Sequence, residues 1–276
     1  MSTPTILDIW KRYSDLLWED GKYKFIAESF AHEIDLILST GDCNIVDSNV
    51  TDLIISNLRK AGNKNSTINR KLAIFYKLVR KAYQVGLISK LPAYLRLKEG
   101  NARIRFLTDH EEDLLFKAIR ARNENHYRLC CFLIDTGARV GEALGTNWAD
   151  YTANSVTFWI TKSGKSRTVP LTQKAKSASI SLANKRGSGP FSSIDYQRFR
   201  SDWLAARREV GLDTDKQVVP HILRHTCASR LVQAGIDLRR VQSFLGHQSI
   251  QMTLRYAHLS TSDLNQCVLA LETRVA

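Results

Sequence analysis

Only one stretch of this chain, Trp148 to Pro170, is rich in β-strand signals, and that limits the fold more than any other feature. Val156, Phe158 and Ile160 alternate with polar residues, Ser163-Gly164 supplies a turn, and Arg167 to Leu171 returns. The pattern predicts a hairpin with Lys162 and Lys165 at its tip. Elsewhere apolar residues recur at helical spacing. Such a chain must bury helices against helices around one small sheet. The expected class is mainly α with a small antiparallel β-sheet.

The helical signals fall into two groups. Ile6, Ile9, Trp10, Tyr13, Leu16 and Leu17 mark a helix ended by Gly21. Ile26, Phe30, Ile34 and Ile37 mark a second, closed by Thr40-Gly41-Asp42, and Val50 to Leu58 a third. A fourth runs from an expected N-cap at Ser66 to Gln84, with Gly86 after it and Ile68, Leu72, Phe75, Val79 and Tyr83 as its apolar set. Residues 1–90 therefore read as a four-helix domain. Residues 91–107 lose periodicity, hold Pro92 and Gly100, and read as a basic linker. Thr108 and Glu111 form a capping box, and residues 108–276 read as an α+β domain with a last amphipathic helix at 262–272. Helices are expected at 109–122, 126–136, 173–185, 195–209, 222–234, 238–245 and 250–257, with a short one carrying Arg139 and Glu142.

Charge narrows the partners. The net charge of +13 makes nucleic acid the first to consider. Residues 1–52 hold four Lys/Arg against ten Asp/Glu. Residues 53–90 hold nine Lys/Arg and no acid, which exceeds what a solvated face requires. The fourth helix carries Arg70, Lys71, Lys77, Arg80 and Lys81. With Arg59 and Lys60 before it, Arg103 and Arg105 in the linker, and Lys165 and Arg167 in the hairpin, these are the expected contacts to a DNA backbone. No apolar run reaches the length of a membrane span, and the N-terminus lacks a secretion pattern. Five cysteines, odd in number and without a C-x-x-C pair, read as reduced thiols in the cytoplasm and exclude a thiolate metal cage.

The chemistry concentrates near the C-terminus, where His221, Arg224, His247 and Tyr256 lie within 36 residues. A phenol, with an ordinary pKa of about 10, is a poor nucleophile unless cations or a base help it. Arg139 and Arg224 are candidates to clamp one phosphate, because guanidiniums offer paired donors and keep their charge. A buried Glu142 would orient Arg139. His221 and His247 are candidates for phosphate contact and proton handling. Nothing in the spacing favours His225 or His258. Lys162 is a candidate general acid for a leaving hydroxyl. His221 and His225 stand at i, i+4, yet the zinc-protease pattern needs Glu where Ile222 stands, so no metal site is expected.

These residues resemble the tyrosine recombinases of the phage-integrase type. The matching stretches are Thr136-Gly137-Ala138-Arg139-Val140-Gly141-Glu142, Thr161-Lys162 with Arg167-Thr168-Val169-Pro170-Leu171, His221-Ile222-Leu223-Arg224-His225, Leu245-Gly246-His247, and Tyr256. Their order matches, and so do the later spacings: 23 residues from Arg224 to His247 and nine more to Tyr256. The resemblance covers 108–260 well and implies a core-binding role for the four-helix region. It implies that Tyr256 attacks the scissile phosphate to form a 3′-phosphotyrosine, that Arg139, Arg224, His221 and His247 surround that phosphate, and that Lys162 protonates the 5′ oxygen. It also implies no metal, ATP or other cofactor. The implied partners are double-stranded DNA, further copies of the chain as a tetramer on two sites, and an accessory DNA-bending or directionality factor. A first helix so near Met1 implies no additional arm-site domain. The last helix could dock on its own domain or on a neighbouring protomer. The competing readings are a type IB topoisomerase and a non-catalytic DNA-binding protein of the same fold.

Overall fold

The structure, a computed structural model, describes residues 3–100, 104–159, 166–180, 187–260 and 272. It divides into two compact units, Met1–Asn101 and Ala102–Ala276.

In the first unit, α1 (Ile6–Leu17) and α2 (Lys22–Thr40) are followed by α3 (Val50–Lys60) and α4 (Asn65–Gln84). A capping box between Thr5 and Asp8 starts α1. This helix ends before Gly21, which instead precedes α2 with a φ of 141° that suits glycine. Ile9, Trp10, Ile34, Ile54, Leu58, Leu72 and Phe75 form one core. Ser66 is not the N-cap of α4: the helix begins a residue earlier, and Lys64 holds the cap position without a side-chain bond. Tyr83 leaves the expected apolar stripe and is exposed.

Residues 93–98, outside any helix or strand, are tied to this unit by side-chain bonds. Tyr76 Oη and Thr51 Oγ1 donate to the Ala93 carbonyl, at 2.8 and 3.2 Å. Asn69 exchanges two 2.9 Å bonds with the Leu97 backbone, and Asn65 donates to the Lys98 carbonyl. Side chains of α3 and α4 thus satisfy backbone groups as a neighbouring strand would.

The second unit opens with α5 (Asp109–Arg122), started by the Thr108–Glu111 capping box. Next come α6 (Glu124–Thr136) and α7 (Val140–Leu144), then strands β1 (Ser155–Phe158) and β2 (Arg167–Pro170). The strands pair antiparallel, with Val156 opposite Val169 and Phe158 opposite Arg167. The chain continues through α8 (Gln173–Ile180), α9 (Tyr196–Glu209), α10 (Ile222–Gln233), α11 (Leu238–Leu245) and α12 (Gln251–Leu254). Helix α6 is central and packs on α5, α8 and α10. Phe132, Phe158, Phe191, Phe199 and Trp203 fill the main core. A smaller cluster joins Cys227, Val232, Val241, Leu245 and Tyr256. Asn123 caps α6 two residues earlier than expected. Tyr256 does not sit inside a helix at 250–257; it follows α12 and precedes a short 3-10 turn at Ala257–Leu259. The hairpin tip and the expected helix at 262–272, apart from Glu272, lie outside the described residues.

Candidate active site

Two glycines place the site. Gly137 ends α6 at a φ of 61°, and a Cβ there would stand 2.4 Å from a Leu245 methyl. Gly246 ends α11 at a φ of 67°, and a Cβ there would stand 2.8 Å from Arg167 Cδ. Both positions favour glycine by backbone conformation and by close approach. Arg139 follows Gly137 by two residues, and His247 follows Gly246 directly.

Arg224, in the first turn of α10, lies between these two ends and is 2% exposed. It donates 2.6 Å to the Gly137 carbonyl and 2.7 Å to the Leu245 carbonyl. Both acceptors belong to helix C-termini, where the backbone carries partial negative charge. No carboxylate among the described residues pairs with Arg224 directly. Burial, and then repulsion by Arg139 and Arg167, lowers its pKa to about 10, so it stays charged at neutral pH.

The Glu142 side chain is 5% exposed and binds two arginines. Its Oε1 accepts from Arg139 Nη1 at 2.6 Å, and its Oε2 accepts from the Arg139 backbone N–H at 2.9 Å and from Arg167 Nη2 at 2.7 Å. Burial pushes its carboxyl up, but the Arg167 bond and the two Arg139 bonds outweigh that and hold the pKa at about 2. Arg167 is not a free DNA contact as expected. It faces inward from β2, over the Phe158 ring at 4.6 Å, and is itself buried. Its Nε and Nη1 have no partner among the described residues. Two guanidiniums thus bind one carboxylate and Arg224 adds a third positive charge nearby, leaving a surplus of positive charge.

Tyr256, in the segment after α12, is 2% exposed. Burial, partly offset by Arg224 and Arg255, pushes its phenol up to about 12. Its Oη lies 2.6 Å from Nδ1 of His225. His247 stacks parallel to it, with ring centroids 6.5 Å apart, and Nδ1 of His247 bonds to Thr253 Oγ1 at 2.8 Å. Burial, and then Arg224, Arg139, Arg167 and His225, holds His247 down to about 3, so this imidazole is neutral at physiological pH. His221 stands at the exposed N-cap of α10, its edge against His225. Its pKa is lowered by crowding first and then by Arg224, Arg139 and Arg255.

The structure therefore brings together Arg139, Glu142, Arg224, His247 and Tyr256, with His221 at the rim. Sequence reasoning set His225 aside, yet His225 touches the phenol. No spacing in the sequence marks it, because the contact forms only when the segment after α12 folds against α10. Lys162, Lys165 and Arg103 lie outside the described residues.

The expected DNA-binding cations divide. Arg59, Lys60, Arg70 and Arg80 are exposed. Lys71 is a correction: it is 5% exposed, pairs with Glu33 at 2.6 Å and donates to Asn63. Lys77 bonds to the Leu17 carbonyl at the end of α1 and lies 4.3 Å over the Trp18 ring. Lys81 sits 5.4 Å over Tyr13. Arg105 is held by Glu111 and by Asp215, the latter at 2.8 Å. These four side chains have partners within their own units, and of them only Lys71 is buried, while Lys77 remains exposed.

Residues 105–263 match the phage integrase family. The tyrosine recombinase XerC of Pelobacter propionicus is 30% identical over 216 residues, covering 73% of this chain and 71% of that protein. The fold matches the Tn1549 transposon integrase, solved with transposon right-end DNA, over 99% of this chain and 100% of that one (TM-score 0.78, 17% identity). It also matches a lambda integrase tetramer bound to a Holliday junction over 89% of this chain and 78% of that one (TM-score 0.75, 20% identity). The chain belongs to the phage integrase family and is a site-specific tyrosine recombinase.

Proposed function

We propose that this chain cuts and rejoins duplex DNA through a 3′-phosphotyrosine on Tyr256 and so integrates or excises a mobile element. The observation that carries this reading is the pocket itself. Arg139, Arg167 and Arg224 outnumber the one carboxylate that faces them, and a buried phenol borders the surplus. A phosphodiester supplies the missing anion. Arg139 and Arg224 donate to its non-bridging oxygens, which gain charge as the tyrosine attacks. His247, neutral and fixed by Thr253, adds a hydrogen bond from a set direction. His221 reaches the phosphate from the rim. Lys162 is the proposed donor to the departing 5′ oxygen. A 5′-hydroxyl from a second strand then reverses the step, and the phosphotyrosine link conserves the bond energy.

The acting form is proposed as a tetramer on two DNA sites, as in the lambda integrase complex. An accessory DNA-bending or directionality factor is part of the same proposal, as is action at the nucleoid in the cytoplasm. Incubation with a nicked suicide duplex tests the chemistry. A covalent adduct with the wild-type chain, lost in Tyr256→Phe, is expected. No wild-type adduct, or an adduct that survives Tyr256→Phe, overturns the assignment. Plasmid relaxation without strand exchange would instead place the activity with topoisomerases.

A further inference from the structure

We propose that His225 is the base that takes the phenolic proton from Tyr256 as the tyrosine attacks phosphorus. This rests on Tyr256 being the nucleophile. Nδ1 of His225 lies 2.6 Å from Tyr256 Oη, and the two rings are tilted by 43° with centroids 6.0 Å apart. That distance suits direct proton transfer. Tyr256 is 2% exposed, so bulk water is not a ready acceptor. His247 is no substitute. Its plane stacks within 8° of the phenol plane, and its Nδ1 is engaged by Thr253.

The surroundings explain how such a base waits for substrate. His221 and Arg224 face His225 from its own helix, and Arg255 and Tyr256 face it from the segment after α12. No carboxylate is among these neighbours. Burial, then His221, Arg255 and Arg224, pushes the His225 imidazole down to about 4. It is neutral and able to accept, but weakly basic while the pocket lacks an anion. A phosphodiester bound to Arg139 and Arg224 offsets the cations, raises the basicity of His225 and draws the phenol toward phosphorus. A cavity lined by Arg105, Gln217, His221, His225 and Arg255 lies beside the imidazole.

In the forward step the Tyr256 O–H bond breaks and its proton passes to His225 Nδ1. The Oη–P bond forms and the P–O5′ bond breaks. The departing oxygen takes a proton from the donor assigned to Lys162. In the return step the incoming 5′-hydroxyl gives its proton back to the donor assigned to Lys162, its oxygen bonds to phosphorus, the Oη–P bond breaks, and the tyrosine recovers its proton from His225.

The test uses the full chain and a nicked duplex, with the 5′-bridging oxygen either native or replaced by sulfur. His225→Asn keeps a hydrogen-bonding atom near the Nδ1 position but cannot act as a base. It is expected to bind DNA normally and to form adduct roughly 100-fold more slowly. The loss should persist with the sulfur leaving group, which needs no proton, whereas a Lys162→Ala loss should disappear. Replacing Tyr256 by a fluorinated, more acidic tyrosine should recover much of the His225→Asn loss. A wild-type rate in His225→Asn overturns the proposal, as does full rescue by sulfur or no rescue by the fluorinated tyrosine. If Asn is not tolerated, His225→Gln is read by the same comparisons. An adduct that persists in Tyr256→Phe would instead remove the nucleophile assignment itself.

Discussion

Arg224 shows how much one residue can carry. Its guanidinium reaches two carbonyls that end different helices, a geometry that a single ammonium cannot reproduce. Arg224→Lys is expected to slow adduct formation by roughly 100-fold or more, measured in single-turnover cleavage of a suicide duplex. It should also lower the melting temperature, because one carbonyl loses its donor. Gly246 carries a purely steric constraint. With a φ of 67° and a Cβ position 2.8 Å from Arg167 Cδ, Gly246→Ala is expected to cost about 1–3 kcal/mol in urea unfolding. Arg139, Arg224, His247 and Tyr256 were legible in the sequence because their chemistry and spacing are distinctive. His225 was not, since a histidine one place after an arginine has no meaning until the chain folds the phenol onto it. Arg167 was misread for the opposite reason. Its alternation with Val169 already placed it on the core side of β2, yet its charge suggested solvent.

At the scale of elements, helix α4 divides along similar lines. Its amphipathic pattern was plain, and its core residues are buried as expected except for Tyr83. The basic residues, however, could not be sorted by charge alone. Arg70 and Arg80 lie on an exposed stripe with Ala73. Lys71, one residue from Arg70, turns inward to Glu33, and Lys77 closes the open end of α1. Lys71→Ala is therefore expected to lower stability with little direct effect on DNA affinity, as urea unfolding and a binding titration would show. Arg70→Glu with Arg80→Glu should do the reverse. Affinity should fall, the salt slope should shrink by about one for each phosphate no longer neutralised, and the unfolding midpoint should hardly move. An unchanged salt slope would remove α4 from the DNA interface. The tethering of the segment at 93–98 was not legible in the same way. Its backbone partners are side chains of α3 and α4, and no periodicity records such bonds.

For the whole molecule, the buried charges set a pH range. His225 and His247 have folded pKa values pushed below their ordinary value, so the unfolded chain binds their protons first. Stability should therefore begin to fall as pH drops through about 6.5 and continue falling toward their lowered values. Glu142 acts next. Its stabilising contribution is fully present above its ordinary value of 4.5 and is lost as pH falls toward about 2. That contribution is on the order of 3 kcal/mol. Thermal melts from pH 7.5 downward should show a first decline from the histidines and a steeper one from Glu142. Glu142→Gln should remove the second decline while leaving Arg139 and Arg167 without their shared anion.

The two carbonyl bonds of Arg224 also bear on how a stalled complex should be prepared. A variant at Arg224 would silence chemistry but also loosen the ends of α6 and α11, so the trapped assembly would not report the native pocket. Removing only the Tyr256 hydroxyl leaves all three arginines, Glu142 and both helix ends in place. Tyr256→Phe is thus the better bait for capturing intact DNA, while Arg224 variants serve better as probes of how the pocket is braced.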